Sequence, residues 1–168
     1  MKLPEELQFI ANARKVQLTT TARLDERVCV ITGATSGVGY QAARRLAQFG
    51  AHTVLICRNR LKAVAVKDEM EQASGTRVDI IQADFARLAD VRTAARAILE
   101  NYPRIDVLVN NAGIHNTHRS LTVDGIEEVF AVNHVASFLL TRLLLERMVE
   151  SAPARIIQVN SQGHRFGG

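Results

Sequence analysis

Several features that would place this chain in other protein classes are missing from its sequence. No apolar run reaches the roughly 18 residues that a membrane-spanning helix needs. Lysine and arginine occur singly or in pairs, without a run of five or more, although the net charge is +4. This distribution is typical of solvated helix faces and argues against a nucleic-acid partner. The amino terminus is acidic and interrupted, unlike a signal peptide, so we expect a cytoplasmic protein without a transmembrane segment.

Cysteine is also scarce, and a hydrolase motif is absent. Cys29 and Cys57 are the only cysteines. Each falls in a predicted strand, which favours buried free thiols over a disulfide or a metal site. Ser161 and His164 lie three residues apart, but no G-x-S-x-G elbow surrounds the serine and no acid is evident to orient the histidine. We therefore expect neither a metal centre nor a hydrolase pair.

The 168 residues suffice for one domain, and their pattern alternates between strands and helices. We interpret residues 1–24 as a leader in which Pro4 opens a short helix, and residues 25–168 as the domain. The alternation predicts an α/β fold, a Rossmann-like parallel sheet with right-handed crossovers and helices on both faces. The predicted strands are 27–32, 52–57, 77–82, 105–109 and 155–160, and the predicted helices are 38–49, 60–73, 88–101 and about 124–150.

The chain is organised around one apolar strand that ends in a glycine-rich turn. Residues 28–31 predict a strand buried on both faces, and Gly33, Gly37 and Gly39 follow at G-x-x-x-G-x-G spacing. Glycine lets the backbone turn sharply and approach a phosphate closely. The next helix would aim free N–H groups and the positive end of its dipole at an anion. The pattern favours the pyrophosphate of a dinucleotide, with an ordinary strand-to-helix turn as the alternative.

The end of the second predicted strand bears on the choice of cofactor. In a dinucleotide fold this position meets the adenosine ribose, where an acid suits the 2′-hydroxyl of NAD and an arginine suits the 2′-phosphate of NADP. The position holds Arg58 and neither Asp nor Glu. The sequence therefore favours NADP over NAD, and the alternative is a solvated arginine at a strand end.

Four further polar positions follow predicted strands or lie within the long predicted helix. Asp84 follows the third strand, and it would accept a bond from an adenine amino group or cap the next helix. Residues 110–113, N-N-A-G, fit either a tight loop over a cofactor or an ordinary turn. Asn133 lies among apolar neighbours in the long helix, so its amide needs a backbone partner or a water. Ser161 follows the last strand, at the crevice side of the sheet.

Taken together, these residues resemble the short-chain dehydrogenase/reductase family. The resemblance rests on T-G-A-T-S-G-V-G at 32–39, Asp84, N-N-A-G at 110–113, Asn133 and Ser161, and it covers residues 27–168 in order. Within that family, the chain is similar to the branch of retinol dehydrogenases and WW-domain-containing oxidoreductases. The matching segments are C-R-N at 57–59, V-N-H at 132–134 and S-A-P-A-R at 151–155.

The resemblance implies a role for each matched residue. Ser161 would bond the reacting carbonyl or alcohol oxygen, and Asn133 would position a proton-relay water. The remaining residues would bind the cofactor: Gly33, Ser36, Gly37, Val38 and Gly39 at the pyrophosphate, Arg58 and Asn59 at the 2′-phosphate, Asp84 and Phe85 at adenine, and Asn111, Ala112 and Gly113 at the ribose.

The family's catalytic Y-x-x-x-K motif has no counterpart in these 168 residues. The only tyrosines are Tyr40 and Tyr102, and neither is followed by lysine at the required spacing. We therefore expect a fold that is incomplete at its carboxyl end. Its parent activity is NADP-dependent hydride transfer between a carbonyl and an alcohol on a retinoid, steroid or other lipophilic substrate, and this chain alone is inactive. The alternative is a non-catalytic protein that binds cofactor or dimerises with a full-length relative through the 124–150 helix.

Overall fold

The computed structural model describes residues 20–161 of the chain. The short helix expected in the leader falls on residues that lie outside this range, and so does His164. Contacts group the described residues into one compact unit, Arg23–Val159, and a second unit to which residues 20–22 and 160–161 belong.

The larger unit is built on a five-stranded sheet in which every strand is parallel to its neighbours. The strands are β1 (Val28–Thr32), β2 (His52–Cys57), β3 (Val78–Gln82), β4 (Val107–Asn110) and β5 (Arg155–Gln158). They are arranged in the order β3-β2-β1-β4-β5. Val30 in β1 lies opposite Val54 of β2 and Leu108 of β4. The predicted Rossmann-like sheet is confirmed.

Four helices connect the strands and begin close to their predicted positions, with one exception. They are α1 (Gly37–Gln48), α2 (Arg60–Ser74), α3 (Leu88–Asn101) and α4 (Glu128–Glu150). The prediction that α4 begins near residue 124 is wrong. Residues 122–126 form a turn instead, in which the Thr122 N–H donates to the Ile126 carbonyl (2.8 Å) and Gly125 has φ +73°. The Glu127 carboxylate then caps the first turn of α4.

The sheet separates two apolar cores, because alternate residues of a strand point to opposite faces. In β1, Ile31 packs with the α1 and α2 side, whereas Val30 packs with the α3 and α4 side. Cys29 and Cys57 are free and buried, as predicted. Burial raises the pKa of Cys29 to about 12 and raises that of Cys57 as well, so both thiols stay protonated and inert.

Helix α4 belongs to the second of these cores. By length and composition alone this 23-residue helix could cross a membrane, with a mean hydropathy of 1.4 over its most apolar window. Its residues Leu140 and Leu144 are, however, fully buried against the sheet and α3. A core helix of an α/β domain passes the same composition test, so this is weak evidence for a membrane.

The amino-terminal end of the sheet is held by a compact ionic cluster around Asp106. Its carboxylate accepts bonds from Arg27 Nη1 (2.6 Å), Arg104 Nε (2.9 Å) and the Val28 N–H (2.9 Å). Burial alone would raise the pKa of Asp106, but the bonds from both guanidinium groups and the N–H outweigh it and hold that pKa below its usual range. The cluster ties the loop before β4 to the start of β1.

Candidate functional site

A cleft of about 400 Å³ lies at the carboxyl ends of the strands. The chain winds outward from β1 in one direction through β2 and β3, and in the other through β4 and β5, so the cleft sits where the strand order reverses. Open α/β sheets bind ligands at this point. The cleft is lined by residues at or after the ends of β1, β2, β3 and β4 and by one residue of α4: Gly33, Thr35, Ser36, Ile56, Cys57, Arg58, Asn59, Lys62, Ala83, Asp84, Phe85, Asn111, Ala112, Gly113, Ile114 and Val132.

The three glycines after β1 serve different purposes. Gly33 has φ +66°, and a Cβ there would lie 2.9 Å from the Ala112 Cα. A Cβ on Gly39 would lie 2.5 Å from the Gly33 carbonyl oxygen. Both are therefore needed for close packing within the protein. Gly37 has φ +56°, and within the described chain a Cβ there would meet nothing inside 4 Å. Glycine at position 37 is thus favoured by its left-handed backbone conformation and not by close packing.

The start of α1 has free donors beside the cleft. Its N-cap residue, Ser36, lines the cleft and makes no side-chain cap bond, and the first turn carries no acidic residue. The first N–H groups of a helix have no intrahelical partner, and they carry the positive end of its dipole. This terminus therefore fits an anion such as a pyrophosphate. Gly37, Val38 and Gly39 follow in the same turn without lining the cleft themselves.

The buried hydroxyl of Thr32 joins the glycine turn to the loop after β4. Its Oγ1 accepts the N–H groups of Asn111 (2.9 Å) and Ala112 (2.8 Å). In the opposite direction, Asn111 Nδ2 donates to the carbonyls of Thr32 (3.0 Å) and Gly33 (3.2 Å). Four bonds thus fix the two loops against each other. Residues 111–113 line the cleft, and the interpretation of this loop as one that covers a cofactor stays a prediction.

The two adjacent asparagines of this loop point in different directions. Asn110, at the end of β4, donates from Nδ2 to Thr141 Oγ1 of α4 (2.8 Å). Its buried Oδ1 has no hydrogen-bond partner within the described part of the chain. Asn110 therefore anchors β4 to α4, whereas Asn111 anchors the cleft loop to β1.

Asn133 lies in an irregular turn that the sequence did not predict. Residues Ala131–Val135 form a π-helical segment inside α4, and such bulges are common at functional sites. The Asn133 side chain accepts from the Ile114 N–H (2.8 Å) and donates to the Ile114 carbonyl (2.9 Å). Its amide thus satisfies a backbone group, which was one of the two expected roles. Although its sequence neighbours are apolar, Asn133 is exposed.

The end of the cleft nearest β2 carries two basic side chains, Arg58 and Lys62. Asn59, between them, caps α2 by accepting the Lys62 N–H on Oδ1 at 3.0 Å. Sequence reasoning identified Arg58 and Asn59 but missed Lys62. The signal was available, since Lys62 lies one turn beyond the capping asparagine and so faces the same side.

Asp84 and Phe85, after β3, both line the cleft. Oδ1 of Asp84 accepts the Ala86 N–H (3.0 Å), which closes a local turn. The alternative that Asp84 caps α3 is wrong, because Leu88 at the start of that helix donates its N–H to Asp124 Oδ2 (2.9 Å). The ring of Phe85 is buried in the core, 5% exposed.

Ser161 lies in the second unit, where its N–H donates to Asn160 Oδ1 at 2.9 Å. It follows Val159 by two residues, and Val159 itself donates to the Asn110 carbonyl (2.9 Å) beyond the end of β5. The role of Ser161 at a reacting oxygen stays a prediction.

The two tyrosines are engaged elsewhere in the fold. Neither of them lines the cleft. A hydrogen bond to Glu69 raises the pKa of Tyr40. Burial and a 2.9 Å bond to Asp79 raise that of Tyr102. Both phenols therefore resist deprotonation, and neither supplies a general base to the cleft.

The sequence and the fold both match those of known proteins. The family model described as short chain dehydrogenase matches residues 27–167. Retinol dehydrogenase 11 of Homo sapiens is 39% identical over 150 residues, which cover 89% of this chain and 47% of that protein. Dehydrogenase/reductase SDR family member 13 of Bos taurus is 44% identical over 147 residues, which cover 87% and 38%.

Solved structures of this kind superpose on the chain. One is a protein of Escherichia coli CFT073, described as a short chain dehydrogenase and complexed with NADPH. It matches with a TM-score of 0.76 and 27% identity over 89% of this chain and 65% of its own. The present chain spans about half or less of the length of the two curated relatives.

Proposed function

The chain belongs to the short-chain dehydrogenase family, and we propose that its cleft binds NADP(H). The observation that carries this proposal is the composition of the cleft. The glycine turn and the start of α1 lie beside the cleft, and Arg58 follows β2, where an NAD site would have an acid, with Lys62 of α2 nearby in the lining. The cofactor, when bound, would accept or donate the hydride. The NADPH complex of the Escherichia coli structure supports the same choice for that protein.

We propose oxidation and reduction between an alcohol and a carbonyl as the parent activity. The similarity to retinol dehydrogenase 11 supports a lipophilic substrate of retinoid or steroid type. In this proposal the Thr32–Asn111 contacts hold the loop that flanks the cofactor ribose, and Asn133 fixes the adjoining Ile114 backbone. Ser161 would bond the reacting oxygen. The 168 residues contain no Y-x-x-x-K motif, so this chain would bind cofactor without turning over substrate.

Titration calorimetry with NADPH and NADH tests the binding proposal directly. NADPH should bind more tightly, and Arg58→Asp should narrow or reverse the difference. Equal affinities for the two cofactors would overturn the assignment of NADP. Turnover is followed separately, by loss of the reduced-nicotinamide absorbance band with retinal as the carbonyl substrate. We expect no turnover by this chain, and a measurable rate would show that another residue replaces the missing tyrosine.

A second candidate function, an interaction protein, is favoured by the outer face of α4. Phe138 and Val149 are 64% and 68% exposed, and Phe130 is 53% exposed. An exposed apolar stripe of this kind is suited to protein contact. In this function the chain would bind cofactor and pair with a full-length relative. Light scattering across a concentration series would show association that Phe138→Ser weakens. A concentration-independent monomer would contradict it.

A further inference from the structure

Helix α3 begins with a cap that comes from a distant part of the chain. Its N-cap residue is Arg87, whose guanidinium group carries only donors and cannot accept an N–H group. Asp124, 36 residues beyond Leu88, supplies the acceptor instead, and its Oδ2 lies 2.9 Å from the Leu88 nitrogen. A carboxylate at this end of a helix also suits the positive end of the dipole. One side chain therefore joins α3 to the segment that precedes α4.

On the α3 side, a second carboxylate connects this bond to the lining of the cleft. Asp90, in the first turn of α3, accepts the Asp84 N–H on Oδ2 at 3.1 Å. Asp84 and the adjoining Phe85 line the cleft. The first turn of α3 thus holds the backbone of the loop after β3, and Asp124 fixes the start of that turn.

On the other side, Asp124 belongs to a tight turn that leads directly into α4. The Thr122 N–H donates to the Ile126 carbonyl (2.8 Å), and Thr122 Oγ1 accepts the Asp124 N–H (3.3 Å). Helix α4 follows and contributes Val132 to the lining of the cleft. The bond from Leu88 to Asp124 therefore joins two walls of the cleft, although the strands that lead to them, β3 and β4, are separated in the sheet by β2 and β1.

We propose that Asp124 is a positioning residue for the nucleotide, which acts through α3 on Asp84 and Phe85 at the adenine end of the cleft. The inference rests on the proposed function, because it places NADP(H) in the cleft. Asp124 does not itself line the cleft, and its carboxylate has the same sign of charge as the nucleotide phosphates. A direct effect of that charge on binding is therefore unfavourable. Any gain in affinity from Asp124 must come through the backbone that it holds.

The opposite end of the same pair of helices provides a matched control. Arg147 of α4 donates from Nη1 to the Leu99 carbonyl, in the last turn of α3, at 3.2 Å. Asp124 and Arg147 thus each join a charged side chain to the backbone of α3, one at the carboxyl end of the sheet and the other at the amino-terminal end. Arg147→Met should lower the free energy of unfolding without moving the loop after β3. Asp124→Ala should do both.

The test measures 2′,5′-ADP binding by calorimetry in Asp124→Ala, Asp124→Asn and Arg147→Met. Both substitutions of Asp124 remove the negative charge, but asparagine keeps an oxygen that can accept the Leu88 N–H. The difference in affinity between these two variants therefore reports the bond and not the charge. Urea unfolding of each variant measures its stability separately from its affinity.

We expect Asp124→Ala to weaken 2′,5′-ADP binding by about three- to fivefold, because losing a cap of ordinary strength shifts a local equilibrium by about fivefold and only the ordered loop binds. Asp124→Asn should stay within about twofold of the unaltered protein, since the acceptor is kept. Arg147→Met should also stay within about twofold, despite its lower stability.

An unchanged or higher affinity in Asp124→Ala would overturn the role of Asp124 while leaving the proposed function intact. An equal loss of affinity in Asp124→Asn or in Arg147→Met would do the same, since it would assign the effect to charge or to general loosening of the helix pair. If the unaltered protein binds neither 2′,5′-ADP nor NADPH, the proposed function fails, and this inference fails with it.

Discussion

Replacing Thr32 with valine should cost stability, because the hydroxyl of Thr32 satisfies two backbone donors at once. Valine keeps the shape and burial of the side chain, but it leaves the N–H groups of Asn111 and Ala112 without their acceptor at 2.9 and 2.8 Å. An unsatisfied buried donor costs about 1–3 kcal/mol. Both residues are partly exposed, so water can take up some of the loss. We therefore expect the low end for each, or about 2 kcal/mol in total.

A neighbouring threonine provides a matched control with the opposite expected sign. Thr53 in β2 is fully buried, as is Thr32, but its Oγ1 has no hydrogen-bond partner within the described residues. Thr53→Val removes a desolvated hydroxyl that contacts no polar group. The variant should therefore be neutral, or more stable by up to about 1 kcal/mol. Thr32→Ser keeps the acceptor and should lose little.

Urea unfolding at equilibrium, followed by far-UV circular dichroism, gives the free energy of unfolding for each variant. The thermal midpoint of Thr32→Val should fall by about 4–8 °C, given about 2–4 °C per kcal/mol for a chain of this size. NADPH affinity should also fall in Thr32→Val, because Asn111 and Ala112 line the cleft. It should stay unchanged in Thr53→Val. Equal destabilisation by the two valine substitutions would refute the reasoning, since it would mean that the two bonds to Thr32 contribute nothing.

Three other perturbations test separate parts of the structure. Gly37→Ala and Gly75→Ala both place a methyl group at positive φ in open space (+56° and +70°). Each should lower the free energy of unfolding by about 1 kcal/mol. Only Gly37→Ala should weaken NADPH binding in calorimetry. Asp106→Asn should lower the free energy of unfolding by about 1–3 kcal/mol at pH 7. The folded pKa of Asp106 lies below its ordinary value of 3.8. The stabilisation is therefore fully present above pH 3.8 and is lost as the pH falls through the folded pKa. The urea unfolding curves of the unaltered protein and of Asp106→Asn should thus converge in acid. Glu26 has φ 64°, a left-handed conformation that strains residues other than glycine. Glu26→Gly should therefore raise the free energy of unfolding by about 0.5–1 kcal/mol, and the thermal midpoint should rise with it.

Much of the fold could be predicted from the sequence because its signals are local. Each strand contains at least two adjacent β-branched or aliphatic residues, and β1 is buried along its whole length as residues 28–31 indicate. The helices between strands begin after recognisable turn residues, such as Asn59 before α2. The alternation then leaves a parallel sheet as the natural arrangement. The cleft follows from the same logic, since it must lie at the carboxyl ends of these strands.

The features that could not be predicted depend on contacts between distant segments. Nothing near Asn133 in the sequence announces a π-helical turn, because its partner is the backbone of Ile114, 19 residues away. The nearby Asp84 was one candidate for the cap of α3, whereas Asp124 from a later loop provides the acceptor. The start of α4 was placed too early for a related reason. Ile126 lies four residues before Phe130, a spacing that resembles a helix, while the local bonds of Thr122 close a turn there.

The two ends of the sheet use their polar groups differently, and this difference bears on how substitutions should divide between stability and binding. At the amino-terminal end, Asp106 and Asp79 are each surrounded by donors from the same chain, including the 2.7 Å contact of His52 with Asp79. These groups stabilise the fold and have no part in the cleft. At the carboxyl end, Lys62 is left without an internal ion pair in the described residues, and Ser36 makes no cap bond. Such groups add little to folding, so their loss should appear in nucleotide affinity. Thr32 belongs to both classes, because its buried hydroxyl holds a loop that lines the cleft, and its replacement should therefore lower stability and affinity together.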